Sequence, residues 1–231
     1  MIGDSKEGRE VRGKGHEASG KGQGAMGKGQ GIVVRTLTPD DILSIDEYEK
    51  QRESFRSRII ALKQRRRISL GPLITLVFEN RETLRFQIQE MIRAERILEP
   101  AKIQDELDVY NELLPTTEEL SATLLIEITE AAAMKEWLDR FMGLDLGRTV
   151  AITAAGESAF GQFEGGHSHE TKISAVHFVR FRPSSTMKQA FADLRQPVSL
   201  MVDHNGYRET TPVPGSLREE WLSDLGAEAT K

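Results

Sequence analysis

Residues 68–99 read ISLGPLITLVFENRETLRFQIQEMIRAERILE, an apolar strand running straight into a helix. Residues 73–78 are apolar except at Thr75, with Gly71-Pro72 before them and Glu79-Asn80-Arg81 after them. A short run containing Ile and Val between turn-forming residues fits a strand covered on both faces better than a helix. Asn80 is placed to cap the helix that follows, because its side-chain oxygen can accept a first-turn N–H. Glu82 then meets the positive end of the helix dipole.

At about 100° per residue, Leu84, Ile88, Met91, Ile92 and Leu98 fall on one side of this helix, and Phe86 and Ile97 on the other. Each apolar side carries a carboxylate. Glu95 lies within the first side; Glu90 lies beside the second, with Arg93 next to it. A carboxylate on an inner face must be paired, hydrogen-bonded or protonated, since isolating it costs several kcal/mol. Two readings follow: a metal ligand or acid–base group, and a structural ion pair inside the fold.

Upstream, Thr38-Pro39-Asp40-Asp41 opens the folded part, with Thr38 as N-cap and Pro39 at the first helical position. The pattern is helical from there to about Arg66. Ile45, Tyr48, Phe55, Ile59 and Leu62 recur mostly at threes and fours, and Arg52 falls inside that stripe as a candidate partner for Glu90 or Glu95. The helix ends in Lys63, Arg65, Arg66 and Arg67. Cations suit a helix C-terminus; the alternative is an RNA-binding patch, which requires a continuous basic surface with Arg81 and Arg85.

Downstream, residues 100–114 form a short helix using Ile103, Leu107, Tyr110 and Leu114, and Pro115 ends it. Residues 120–128 and 149–153 read as strands, residues 131–142 as a helix, and residues 156–166 as an irregular Gly-rich connection. His167-Ser168-His169 would present two imidazoles on one face of a strand, although nothing nearby completes a metal set. Residues 173–182, ISAVHFVRFR, are the second strongly apolar strand. Ala175, His177, Val179 and Phe181 share one face; Val176, Phe178 and Arg180 share the other. His177 is either a hydrogen-bonded core residue or a ligand, and Arg180 and Arg93 join Arg52 as candidate ion-pair partners. A helix over 183–194, a last strand over 198–202 and a closing helix over 216–225 complete the chain. The strand ends at Asp203-His204-Asn205-Gly206-Tyr207, which reads as a polar site through His204 or simply as an Asn-Gly turn.

The chain has 231 residues, 38% of them apolar, enough for one sizeable core. It has no cysteine, which rules out disulfides, thiolate metal sites and cysteine nucleophiles. With no apolar leader and no run approaching ~18 apolar residues, the expectation is a cytoplasmic protein. A net +3 in residues 1–36 leaves −8 for residues 37–231 out of the formal −5, so the body is a poor polyanion binder. Residues 1–34 are Gly/Lys-rich and nearly without apolar side chains; they are expected to be a disordered tail, and residues 35–231 a single α+β domain. No phosphate loop, dinucleotide fingerprint, nucleophile elbow or HExxH helix appears, so the chain shows no recognisable catalytic motif.

FENRETLRFQIQEMIRAERI, with IALKQRRRISLGPLITLVFEN before it and KISAVHFVRF and DHNGY after it, resembles the bacterial domain-of-unknown-function family 3501 over residues 37–225. That family has no established activity, so no catalytic residue carries over. Its genes sit near those of rubrerythrin-like di-iron proteins and iron–sulfur oxidoreductases. The resemblance therefore implies a role around iron or peroxide handling, with such proteins as partners. The chain departs from the family at Asn205, where proline usually follows Asp-His, a change expected to leave that turn less constrained.

The expectation is an α+β fold: a single, predominantly antiparallel sheet containing residues 68–78, 120–128 and 173–181, with the helix over 81–98 packed on it. The leading functional expectation is a non-enzymatic accessory or interaction protein in a redox or iron-associated pathway. Its rival is a metal-binding protein or metal-dependent enzyme using Glu90, Glu95, His177 and His204, with the metal and any cofactor unspecified.

Overall fold

The computed structural model describes residues 35–164 and 173–226, all within the unit Gly31–Lys231. The expected tail and the His167/His169 pair lie outside the described residues. Among the described residues, two antiparallel sheets carry the fold rather than one, with six α-helices around them. The five-stranded sheet has the order β1 (Arg67–Leu70), β2 (Ile74–Phe78), β3 (Leu120–Ile126), β7 (Val176–Phe181), β6 (Gln162–Phe163). It contains the three apolar runs expected to pair, with Leu76 opposite Leu124 and Leu124 opposite His177. The four-stranded sheet has the order β5 (Glu157–Phe160), β4 (Val150–Ala154), β8 (Val198–His204), β9 (Tyr207–Pro212).

Two strands of the second sheet, β4 and β8, match expected strands, and the other two escape a hydropathy reading for a physical reason. β9 is YRETTP, a strand that buries Tyr207, half-buries Glu209 and Thr211 and leaves Arg208 and Thr210 exposed. β5 lies in the Gly-rich stretch expected to be irregular. Both are edge strands, which need only one apolar face.

The two sheets meet at both edges. On one side β5 and β6 belong to a single run, residues 157–163, which leaves one sheet and enters the other at Gly161. A Cβ on Gly161 would lie 2.5 Å from Val179 Cγ2 and 3.2 Å from Phe181 Cε1, so the corner closes only around a residue without a side chain. On the other side β9 leans on β1: Thr211 Oγ1 donates to the Ser69 carbonyl (2.8 Å) and Tyr207 Oη to the Leu70 carbonyl (2.6 Å). Gly71, at φ +63°, turns β1 into β2 beneath that contact, and a Cβ there would lie 2.6 Å from Tyr207 Oη. The inner faces thus enclose one core, including Leu70, Leu76, Phe78, Leu124 and Phe181 from one sheet and Ile152, Leu200 and Val202 from the other. Closure also leaves few free strand edges for pairing with other chains.

The helices cover what remains. α6 (Gly215–Asp224) places Trp221 between Phe191 of α5 (Ser185–Ala192) and Phe78, with ring centroids 5.2 Å and 4.7 Å away respectively. α4 (Met134–Phe141) lays Trp137 and Phe141 on Tyr207. α2 (Arg81–Glu95) and α3 (Pro100–Asn111) cover the outer face of the five-stranded sheet, burying Leu84, Ile88, Ile92 and Leu107 beside Phe178. Asn80 caps α2 as expected: Asn80 Oδ1 accepts from the Thr83 N–H (3.0 Å), and Thr83 Oγ1 accepts from the Asn80 N–H (2.9 Å).

α1 (Ile45–Arg65) begins later than the sequence suggests. Thr38 and Asp41 close a short 3-10 turn at Pro39–Asp41, and Ser44 starts the helix anew, its hydroxyl accepting from the Glu47 N–H (3.3 Å). α2 ends earlier than expected. Arg96 turns left-handed at φ +50°, and the Ile97 N–H reaches back to the Ile92 carbonyl (3.0 Å), which stops the helix at Glu95. Leu98 is consequently 75% exposed rather than continuing the apolar side.

Candidate functional site

The α1–α2 seam holds the first candidate. Tyr48, Phe55 and Ile59 of α1 are buried along it, and Phe86 of α2 stands edge-on to Phe55 at 5.7 Å. Arg52 sits in the stripe between Tyr48 and Phe55, so its guanidinium must find an anion on α2, and Glu90 is that anion. Arg52 Nε donates to Glu90 Oε1 (2.8 Å), and Nη2 to Oε2 (2.8 Å); Tyr48 Oη donates to Oε1 (2.6 Å). Arg93 lies 3.7 Å from Oε2 and also 3.3 Å from Glu49. A bidentate pair of this kind adds geometric specificity to its energy. The Arg52 contacts, reinforced by Tyr48 and opposed by burial, hold the Glu90 carboxyl at about 2. Burial, and then the bond to Glu90, push the Tyr48 phenol up. The partner expected for Glu90 from the stripe is the partner found.

Glu95 corrects the expectation made for it. It is the last residue of α2 and is exposed, because the left-handed turn at Arg96 removes the continuation that would have covered it. It does not join Glu90, and its charge acts instead on Glu106 of α3. Arg180, on the outer face of β7, pairs with Glu164 (3.3 Å) and Glu119 (3.6 Å), away from Glu90.

The two histidines point elsewhere again. His177 is fully buried on the inner face of β7, alongside Val179 and Phe181. Its Nε2 lies 2.7 Å from the Ser174 carbonyl, its Nδ1 lies 3.8 Å from Asp145 Oδ2, and its ring stands edge-on to Phe163. His204, at the end of β8, places Nε2 2.9 Å from the Met142 carbonyl. A carbonyl oxygen only accepts, so where Nε2 bonds one, Nε2 carries the proton. Among the described residues, no three His, Asp or Glu side chains come together as a metal-holding group.

The His204 turn is tighter than expected. Asn205 and Gly206 adopt φ +44° and +81°, the paired positive values of the hairpin turn that Asn-Gly favours, and Asn205 Nδ2 donates to the Arg140 carbonyl (3.0 Å). Proline, fixed near −65°, cannot take that conformation.

The buried charges with the most connections were not singled out from sequence. Arg66, one of the cations at the end of α1, has no exposed surface. Its Nε donates to the Phe78 carbonyl (2.7 Å) and Nη2 to the Glu79 carbonyl (3.1 Å); Nη1 meets Glu220 (2.8 Å), and Nη2 also pairs with Asp224. It fastens α1, the end of β2 and α6 at one point. Burial pushes Asp224 up to about 6 against the opposing pull of Arg66. The rest of the expected basic patch is dispersed: Arg65 pairs with Glu220, Arg67 with Glu127 and Arg81 with Asp41. In sequence Arg66 looks like its neighbours, and only the path of β1 decides which cation turns inward.

What fold and site define is an α+β protein of two edge-joined sheets, whose inner-face charges are engaged by one another and by backbone carbonyls. The chain belongs to the family described as Protein of unknown function (DUF3501), whose model matches residues 36–225. A solved structure of a novel protein of unknown function from Burkholderia pseudomallei K96243 is similar to it, with 33% identity and a TM-score of 0.75. That match covers 83% of this chain and 100% of the other. No curated protein matches the chain. No helix among the described residues is long and apolar enough to cross a membrane.

Proposed function

We propose that this chain is a cytoplasmic, non-enzymatic accessory protein that acts by binding other proteins in a redox or iron-associated pathway. The observation that supports a non-catalytic reading best is the seam at Glu90: both carboxylate oxygens are taken by Arg52 and Tyr48. A group held that way serves helix docking, and a catalytic carboxylate needs a free oxygen facing substrate. The Nε2 atoms of His177 and His204 are likewise engaged by backbone carbonyls. The iron association rests on the family resemblance alone, which makes rubrerythrin-like di-iron proteins and iron–sulfur oxidoreductases the partners to test. Sedimentation velocity of the purified chain mixed with a purified rubrerythrin-like protein tests this reading. A complex sedimenting faster than either component supports it; two independent boundaries at micromolar concentrations of both overturn that partner.

The rival reading, a metal-binding protein, draws on a different observation. His177 is a buried imidazole whose Nδ1 faces the Asp145 carboxylate across 3.8 Å. Loss of a stoichiometric bound metal on His177→Gln would favour it over the accessory role.

A further inference from the structure

The chain has three asparagines, and one of them is set apart from the others by its surroundings. Asn80 caps α2, and Asn111 grips both polar groups of the Leu37 backbone (2.8 and 2.9 Å). Each of these is followed by a long side chain, Arg81 and Glu112. Asn205 is exposed at the tip of the β8–β9 hairpin, and the residue after it is Gly206. The amide carbon of an asparagine lies within reach of the next backbone nitrogen, and a side chain on that next residue obstructs ring closure between them. At Gly206 the approach is open: no atom lies within 4 Å of the place a Cβ would take. Among the described residues no hydrogen bond engages the Gly206 N–H.

The group that would depart is placed as well. Asn205 Nδ2 donates to the Arg140 carbonyl (3.0 Å) and lies 3.1 Å from His204 Nε2. That His204 nitrogen carries a proton, because it bonds the Met142 carbonyl (2.9 Å). An amide nitrogen leaves only once it is protonated; it gains a lone pair when the carbon beside it becomes tetrahedral, and the imidazole N–H then stands next to it. We propose that Asn205 is a self-modification site, deamidated by attack of the Gly206 nitrogen with His204 as proton donor to the departing ammonia. The bond from Gly206 N to Asn205 Cγ forms, and the Gly206 proton passes to solvent. The Cγ–Nδ2 bond then breaks, Nδ2 leaves as ammonia with the proton of His204 Nε2, and solvent restores that proton. Water opens the resulting succinimide at either carbonyl, leaving aspartate or isoaspartate, and is the one co-reactant consumed. The product alters the joint between the hairpin and α4. A carboxylate has no N–H for the Arg140 carbonyl, and it brings negative charge to the end of α4 where the helix dipole is already negative. This inference goes beyond the accessory role and does not depend on it.

The full chain is incubated in mildly alkaline buffer, and its mass, released ammonia and peptide map are followed over days. The expected result is a gain of about one dalton with about one ammonia released per chain. The gain should be confined to the peptide holding Asn205, as a mixture of aspartate and isoaspartate. His204→Gln should slow it about 100-fold in the folded chain, the lower end of what a positioned proton donor contributes, and leave it unchanged in urea. No gain at Asn205, or equal rates in the folded wild type and folded His204→Gln, would overturn the proposal. Should the variant fail to fold, the wild type decides: the folded chain must convert faster than the same chain in urea, where His204 no longer faces a held Nδ2, and slower conversion overturns the proposal.

Discussion

Glu90→Gln isolates the charge at the α1–α2 seam. In the folded chain the Glu90 carboxyl is held at about 2, against 4.5 for an unperturbed glutamate, chiefly by Arg52 and then by Tyr48. That interval corresponds to about 3 kcal/mol of preference for the ionised, folded form. The side chains of the pair are 28% and 25% exposed, so solvent screening reduces the figure to about 1–3 kcal/mol. The sign follows from the direction. A depressed folded value means that the unfolded chain binds the proton first on acidification. The stabilisation is complete above about pH 4.5 and disappears as pH falls towards about 2. Urea unfolding of the wild type and Glu90→Gln between about pH 7 and pH 3 measures it, because carboxylates common to both chains cancel in the difference. The wild type should lead by about 1–3 kcal/mol at neutral pH, and its lead should shrink steadily below about pH 4.5. A difference that stays constant across the range would refute a charge-based seam.

Four further outcomes are expected. Arg66→Met should cost about 3–5 kcal/mol in urea unfolding, since it strands Asp224 and the Phe78 and Glu79 carbonyls in a buried site. Glu95→Ala should stay within about 0.5 kcal/mol of wild type, as an exposed helix-end residue does. Asp224 behaves oppositely to Glu90: burial raises it from 3.8 to about 6, so the folded state holds its proton longer and stability falls as pH rises through that window. Asp224→Asn should lack this fall, so that its stability relative to wild type rises between about pH 4 and pH 6.5. Gly161→Ala should lower the thermal midpoint by several degrees, more than a surface Gly→Ala change, because its Cβ would overlap Val179.

What could be read from sequence were the elements with a strong local signature. Residues 73–78 were bound to be a covered strand, Asn80 a cap, and Arg52 the partner of a carboxylate on the next helix, because each depends on spacing within one element. Alternation likewise grouped His177 with Val179 and Phe181 on one side of β7, and that side is the buried one. Glu95 was misread because one left-handed residue, Arg96, ends α2; Arg is not the usual residue for that role, so nothing in the pattern announced the stop. The second sheet was half hidden because β5 and β9 are edge strands whose outward positions are polar or small. Arg66 and Glu79 were missed for a tertiary reason: their burial is decided by where β1, β2 and α6 meet, which no local period encodes.

The most direct test of the central claim, that the inner-face charges serve the fold rather than a metal, is the metal content of the full chain. The chain is produced without a polyhistidine tag in iron- and manganese-supplemented medium, purified anaerobically and analysed by inductively coupled plasma mass spectrometry. The account predicts transition-metal content far below one ion per chain, unchanged in Glu90→Gln, His177→Gln and His204→Gln. One tightly held ion per chain, lost in any of those three variants while the variant stays folded, would contradict it.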